Sequence, residues 1–132
     1  MSATDTGPWL VFERHGRAHA VAAELVRAVS VVEHRCPVPG AHSRVVGLAT
    51  WRGGVVAVVE PGEERAGGTS TMVLVDTGGD TLGLAADSIR GWVDDRHGVP
   101  VLDLLRLNRD SRAGARISRT SIPAYREDSA HD

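Results

Sequence analysis

The sequence predicts a single, mostly β domain, and three observations support this fold class. A chain of 132 residues is long enough to bury one compact core. The composition is 42% hydrophobic but only 4% aromatic, with Val and Ala supplying most of the apolar side chains, which favours thin strands over long helices. Glycine-containing turns such as Gly53-Gly54 separate short apolar runs, and this pattern is typical of β-hairpins.

The first half of the chain is expected to form two hairpins after a loose leader, residues 1–8. The second hairpin turns at Trp51-Arg52-Gly53-Gly54, and the run after it, Val55–Val59, contains no polar residue, so it should be a central strand. Residues 24–29 suit one short helical turn or an irregular strand, and the proline-containing residues 36–40 should form a surface loop. The predicted strands of this half are 9–13, 19–23, 45–50 and 55–59.

The second half follows a Gly- and Glu-rich stretch, residues 61–70, which is expected to be a linker between two lobes. A third hairpin is predicted around Gly78-Gly79. From Arg106 onward apolar residues thin out, so residues 106–132 are expected to form a frayed, mobile tail. The predicted strands of this half are 71–75, 81–86, 88–93 and 99–105, the last two joined by a polar turn at 94–98.

The two halves also resemble each other in sequence. Residues 9–29 align with residues 72–92 at a constant offset of 63 residues, so that Gly16 meets Gly79, and residues 57–60 align with 100–103 at an offset of 43. The chain is therefore predicted to contain two copies of one β unit, the second about 20 residues shorter. The second lobe should lack about one strand and its loop, which leaves an edge for the tail or a second chain to cover.

Composition excludes several classes of function. The net charge of −2 provides no basic field for nucleic acid or an anionic membrane. The chain contains no Lys, so a P-loop lysine, a Schiff base and a Ser-Lys pair are excluded. The only cysteine, Cys36, cannot form an internal disulfide, which suits a reducing cytoplasm. No membrane span or signal peptide is predicted, because no apolar run reaches about 18 residues.

Candidate metal ligands have weak support. His34, Cys36 and His42 are close in sequence, but their spacing matches no zinc pattern and a proline loop is a poor scaffold. His15 and His19 flank a turn, and the support for a metal site there is equally weak. No metal or other cofactor is therefore predicted.

Two patterns that could suggest an enzyme are better explained by turns. Gly78, Gly79 and Gly83 are flanked by strands and precede no helix, so they do not form a dinucleotide-binding loop. Ser88 beside Asp87 does not form a nucleophile elbow. No catalytic residue is predicted.

The order of these segments resembles the CheW family of chemotaxis adaptors. The resemblance covers roughly residues 9–105. It implies two SH3-like β-barrels side by side, with the second lobe shortened, and a non-enzymatic scaffold that joins chemoreceptor tips to a CheA-type histidine kinase. The segments that carry it are WLVF, LVRAV, VVGLATWRGGVVAVVE and MVLVDTGGDTLGLAADSIRGWV.

The resemblance also implies a site. In the family, a receptor's helical hairpin docks in an apolar groove between the lobes. Carried over to this chain, the groove would be lined by aliphatic residues with a glycine and an arginine at its edge. An amphipathic helix with an acidic flank would suit such a groove. The implied residues are Val26, Val29, Gly47, Arg52, Val73 and Leu74, and Trp51 and Trp92 are further edge or interface candidates.

Some residues depart from the family pattern. Trp51 replaces the usual Leu, Ala57 replaces Pro, Glu60 replaces Asp, and Ala28 stands where an acidic residue is frequent. The segment missing from the second lobe helps to contact the kinase in the family. Similar shortened relatives include the frizzy-type adaptors of gliding bacteria.

The leading hypothesis is a cytoplasmic adaptor, recruited to chemoreceptor arrays, that binds a chemoreceptor tip and has weakened or lost kinase contact. A full-length CheW paralogue is a further possible partner. The first alternative is a complete coupling protein that bridges receptor and kinase. The second is a small β-barrel ligand-binding or enzymatic domain.

Overall fold

The computed structural model describes residues 7–37, 44–63 and 67–111. Within these ranges the chain forms nine strands, a short 3₁₀ turn at Ala23–Leu25 and a helix, α1, at residues 104–111. The predicted all-β class is confirmed. The strands are β1 (Trp9–Arg14), β2 (Arg17–Ala22), β3 (Val26–Val31), β4 (Glu33–Cys36), β5 (Val45–Trp51), β6 (Gly54–Val59), β7 (Thr71–Asp76), β8 (Thr81–Ala86) and β9 (Ser88–Val93).

The strands form two sheets. The smaller has the order β2-β1-β9 and the larger the order β3-β7-β8-β6-β5-β4. All pairs between these strands are antiparallel except β6 with β8. In the larger sheet, the edge strands β3 and β4 are joined by Val32 alone. The sheet must therefore curl until its two edges meet at Val32.

Three apolar clusters hold the sheets together. The central core contains Leu10 and Phe12 from the smaller sheet, and Val73 and Leu84 from the larger one. A second core fills the inside of the curled sheet, with Met72 and Val58 among its residues. The third and smallest core contains Trp9, Val11 and Ala20, and covers the other face of the smaller sheet. Alternation along each strand explains this division, since successive side chains point to opposite faces.

The two predicted copies of the repeat exchange strands. Each copy is a hairpin followed by a third strand: β1-β2 and then β3, β7-β8 and then β9. Each third strand pairs with the hairpin of the other copy. Thus Val29 lies opposite Val73, and at the 63-residue offset Trp92 lies opposite Leu10.

This exchange corrects the predicted division into lobes. Residues 61–70 do not separate two sheets, because β7 and β8 belong to the larger sheet and β9 pairs with β1. Sequence alone assigns neighbours by proximity along the chain, and here the third strands cross to the other half. The predicted lobes 9–60 and 71–105 are therefore copies of one sequence unit, but not separate layers.

The shortened half lacks counterparts of two strands, β4 and β5, between Val93 and Val101. Val58 of β6 lies beside Gly83 in the larger sheet, and its equivalent, Val101, forms a single parallel bridge to Ala20. Val58 is fully buried, whereas Val101 is 46% exposed. The predicted strand 99–105 is thus reduced to one bridge, because no strand like β5 supports its outer side.

The first part of the predicted tail, residues 106–111, is not frayed. Residues 104–111 are helical, and the Asp103 carboxylate accepts a hydrogen bond from the Arg106 N–H at 3.1 Å, as an N-cap does. Leu107 is only 3% exposed and belongs to the central core. Residues 112–132 lie outside the described part of the chain, as do residues 1–6 of the predicted leader.

Candidate partner-binding surface

The outward row of β3 is the main apolar surface at the predicted site. Val29 and Val31 are 43% and 59% exposed, whereas Val26 is half-buried against the central core. Val29 and Val31 lie opposite Val73 and Thr71 of β7. The surface is therefore a strip of valine side chains along one edge of the larger sheet.

The arginine turn lies at one end of this strip. Glu33 of β4 pairs with Thr50 of β5, which brings Arg52 close to the end of β3. Arg52 has a φ of 50° and is exposed, and its guanidinium carbon lies 4.8 Å from the centre of the Trp51 ring. The ring itself packs against the second core. Stacking therefore orients the cation but leaves it accessible to an acidic partner.

Three of the predicted site residues do not reach the surface. Val73 and Leu74 are fully buried, because β7 is a hydrogen-bonded neighbour of β3 and has a core on each face. Gly47 is also buried, and a Cβ atom there would lie 2.8 Å from the Cys36 carbonyl oxygen. These buried residues pack beneath the strands that carry the exposed side chains. Val29 and Arg52 are the exposed members of the predicted set.

An open groove that sequence reasoning missed lies beside the same hairpin. Its volume is about 410 Å³, and the exposed Val55 and the start of β8 form parts of its wall. Its strands β6 and β8 are neighbours only through the parallel pairing, which no local sequence signal indicates. The lining residues include Trp51, Val55, Ala57, Gly79, Asp80 and Thr81.

A buried ion pair was also missed. Arg14 donates from Nε to Oε1 of Glu60 at 2.8 Å and from its terminal nitrogen to Oε2. It also donates to Asp87 and to the carbonyls of Gly67 and Gly68. The only sequence signal was an acidic residue at the end of the apolar run VVAVVE, which must find a partner when buried. The network joins β1 to the end of β6 and to the β8–β9 junction.

The electrostatics of this network favour the charged forms. Burial alone would raise the pKa of Glu60, but hydrogen bonds from Arg14 and from the Gly67 N–H outweigh burial and lower it. The hydrogen bond to Glu60 is the main cause that raises the pKa of Arg14. The backbone N–H of His15 is the main cause that lowers the pKa of Asp87. Both carboxylates are therefore ionised at neutral pH.

The described residues contain no group of three His, Cys, Asp or Glu side chains placed to hold a metal ion. None of the helices described here is long and apolar enough to cross a bilayer.

A family model described as "CheW-like domain" matches residues 8–97. The chain belongs to the CheW family. CheW-like proteins are non-enzymatic scaffolds and adaptors, and in general they interact with chemoreceptors and with the kinase CheA. The match covers β1 to β9 and the turn after β9.

A solved structure supports the fold of this CheW-like protein. The scaffolding protein TtCheW from Thermoanaerobacter tengcongensis aligns with a TM-score of 0.58 and 16% identity, over 70% of this chain and 67% of that one. A comparison with curated proteins gives no match. At this identity the likeness concerns the fold alone.

The two tryptophans named as interface candidates differ in exposure. Trp51 is half-buried under Arg52, whereas Trp92 is 59% exposed on β9. Trp92 lies opposite Leu10 of β1, and β1 is the only strand with which β9 pairs in the described structure. An indole this exposed on an edge strand is a candidate contact residue.

Proposed function

We propose that this CheW-like adaptor binds the cytoplasmic tip of a chemoreceptor through the strip formed by Val29 and Val31, with Arg52 at its end. The observation that carries the proposal is the pair of exposed valines leading to an exposed, stacked arginine. Burying each valine under a partner would contribute about 1–2 kcal/mol. This chemistry suits an amphipathic helix with an acidic residue near one end of its apolar stripe.

The charges around the strip support the same partner. Arg27 lies beside Val29 but is already paired with Asp76, at 3.2 Å. Hydrogen bonds from the N–H groups of Gly79 and Gly78 lower the pKa of Asp76, so this pair stays ionised. Arg52 is thus the cation most available to a docking carboxylate, and it sets the direction in which the helix lies.

We further propose that contact with the CheA-type kinase is weakened. The support is the missing counterpart of β4 and β5 in the second half, where Val101 is left partly exposed. A partner that needs those strands would find a short loop instead. Recruitment to receptor arrays would then depend mainly on the β3 strip.

The test is isothermal titration calorimetry, in which a receptor cytoplasmic fragment is titrated into the protein. Val29→Asp and Arg52→Glu should each weaken binding at least about tenfold, which corresponds to about 1.4 kcal/mol. Val101→Asp is the matched control, since it places the same charge on another partly exposed valine, and it should leave receptor affinity unchanged.

A second titration uses the regulatory domain of the kinase. Weak or absent binding is expected. Normal binding to that domain, together with no binding to the receptor fragment, would contradict the proposal. Receptor-dependent activation of the kinase at the level of a complete adaptor would instead assign full coupling.

A further inference from the structure

The exposed face of β9 is the structural counterpart of the β3 strip. At the 63-residue offset, Trp92 corresponds to Val29 and Val73 corresponds to Leu10. The pair Val29–Val73 is therefore equivalent to the pair Trp92–Leu10. Each third strand has a register shift at the same place, next to Arg27 in β3 and next to Arg90 in β9. The two strands thus present corresponding surfaces on opposite halves of the molecule.

The correspondence extends to the charges. Arg27 pairs with Asp76 of β7, and its counterpart Arg90 pairs with Glu13 of β1. In both strands the bulged residue is the arginine, and in both its side chain reaches a carboxylate on the neighbouring strand. Each face therefore combines at least one exposed apolar residue with one cross-strand ion pair.

The bulge also limits what can bind β9. An extended strand added to the edge of β9 needs a regular row of outward N–H and C=O groups, and a bulge interrupts that row and increases the twist. Gly91 beside it has a φ of 133°, which twists the edge further. A partner that packs on side chains suits this face better than an added strand.

The ends of the two faces carry opposite charge. Arg52 lies near the end of β3, whereas the exposed Asp94 and Asp95 follow Val93, the last residue of β9. The β3 strip therefore favours a partner with an acidic flank, and the β9 face favours one with a basic flank.

We propose that the face formed by Ile89 and Trp92 is a second docking site, whose occupant is an amphipathic helix with a basic residue beside its apolar stripe. The protein would then hold two different helices at once, one on each half. The proposal goes beyond the receptor site and stands on separate residues.

The experiment uses the indole N–H signals of the ¹⁵N-labelled full chain, assigned with Trp→Phe variants. Trp92 reports on the β9 face, Trp51 reports on the arginine turn beside the β3 strip, and the buried Trp9 is an internal control. The probe is a synthetic helical peptide of about 18 residues with a leucine stripe and a lysine flank. A peptide with glutamate in place of the lysines is the matched control.

The lysine peptide should shift the Trp92 signal saturably, should leave the Trp9 signal in place, and should bind at least about fivefold tighter than the glutamate peptide. Asp94→Lys combined with Asp95→Lys should reverse that preference, and Val29→Asp should not change it.

A Trp92 signal that stays unmoved would overturn the proposal. So would a Trp92 signal that moves when the protein alone is concentrated, since a second copy would then be the occupant. Failure at the receptor site would show separately, as a Trp51 signal that does not respond to the receptor fragment.

Discussion

Arg14 and Glu60 form a two-point ion pair in which the glutamate side chain has no exposed surface and the arginine is 2% exposed. The pair joins the end of β1 in the smaller sheet to the end of β6 in the larger one. Asp87 and the Gly67 and Gly68 carbonyls complete the hydrogen bonding of the guanidinium. The interface between the sheets is therefore fixed by a satisfied polar network as well as by apolar packing.

Removing one partner of this pair should be costly. Glu60→Gln is expected to lower the free energy of unfolding by about 3–5 kcal/mol, because the buried Arg14 then keeps only the half-exposed Asp87 as a charged partner. Urea denaturation measures the change. The matched control is Asp76→Asn, which breaks an exposed pair with Arg27 and should cost far less stability than Glu60→Gln. Equal losses in the two variants would contradict the structural role given to Glu60.

The same pair predicts how stability depends on pH. The pKa of Glu60 is lower in the folded protein than in the unfolded chain, so its contribution is fully present above the unfolded value of about 4.3. The contribution is lost progressively as the pH falls from there through the folded value. Asp87, whose pKa is also lowered, acts in the same direction. Thermal melts of wild type and Glu60→Gln should converge on acidification; curves that stay parallel would count against this assignment.

Gly47 should tolerate no side chain. Its φ of 154° and the 2.8 Å approach of a Cβ atom to the Cys36 carbonyl oxygen predict that Gly47→Ala lowers the free energy of unfolding by about 1–3 kcal/mol. Gly54→Ala is the control, because its nearest neighbour would be at 3.6 Å and its φ is ordinary. Circular dichroism melts of the two variants provide the comparison, and a stable Gly47→Ala protein would refute the close approach of β4 to β5.

Helix α1 should contribute to the core through Leu107. Leu107→Ala is expected to destabilise the protein by about 2–5 kcal/mol, as deletions of buried leucine do. Leu105, two residues away and 70% exposed, should change stability by no more than about 0.5 kcal/mol when replaced by Ala. Comparable effects of the two substitutions in chemical denaturation would mean that α1 does not dock as described.

Much of the fold could be predicted from sequence, because local rules determine hairpins. The turn at Gly78-Gly79 and the alternation in β7 and β8 are local signals, and both strands lie close to the predicted bounds. Helix α1 could also have been found, since Asp103 is a typical N-cap and Leu104 and Leu107 have helical spacing. The crossing of β3 and β9 could not be predicted, because strand exchange depends on contacts between distant parts of the chain.

The site was predictable only in part, for a related reason. The aliphatic residues of β3 and β7 look alike in sequence, yet Val29 is exposed and Val73 is buried. Burial of β7 on both faces follows from its central place in the larger sheet, which the sequence does not indicate. The partner of Arg14 lay 46 residues away, and no local pattern could name it.

The crossing of the third strands also bears on how the chain is made. During synthesis on the ribosome, β1 has only β2 as a neighbour until β9 has been added, so the apolar faces of the first hairpin stay uncovered in the nascent chain. Such long-range pairing slows folding and exposes the polypeptide to aggregation. Production of this protein in quantity should therefore benefit from chaperones or from a lower rate of translation.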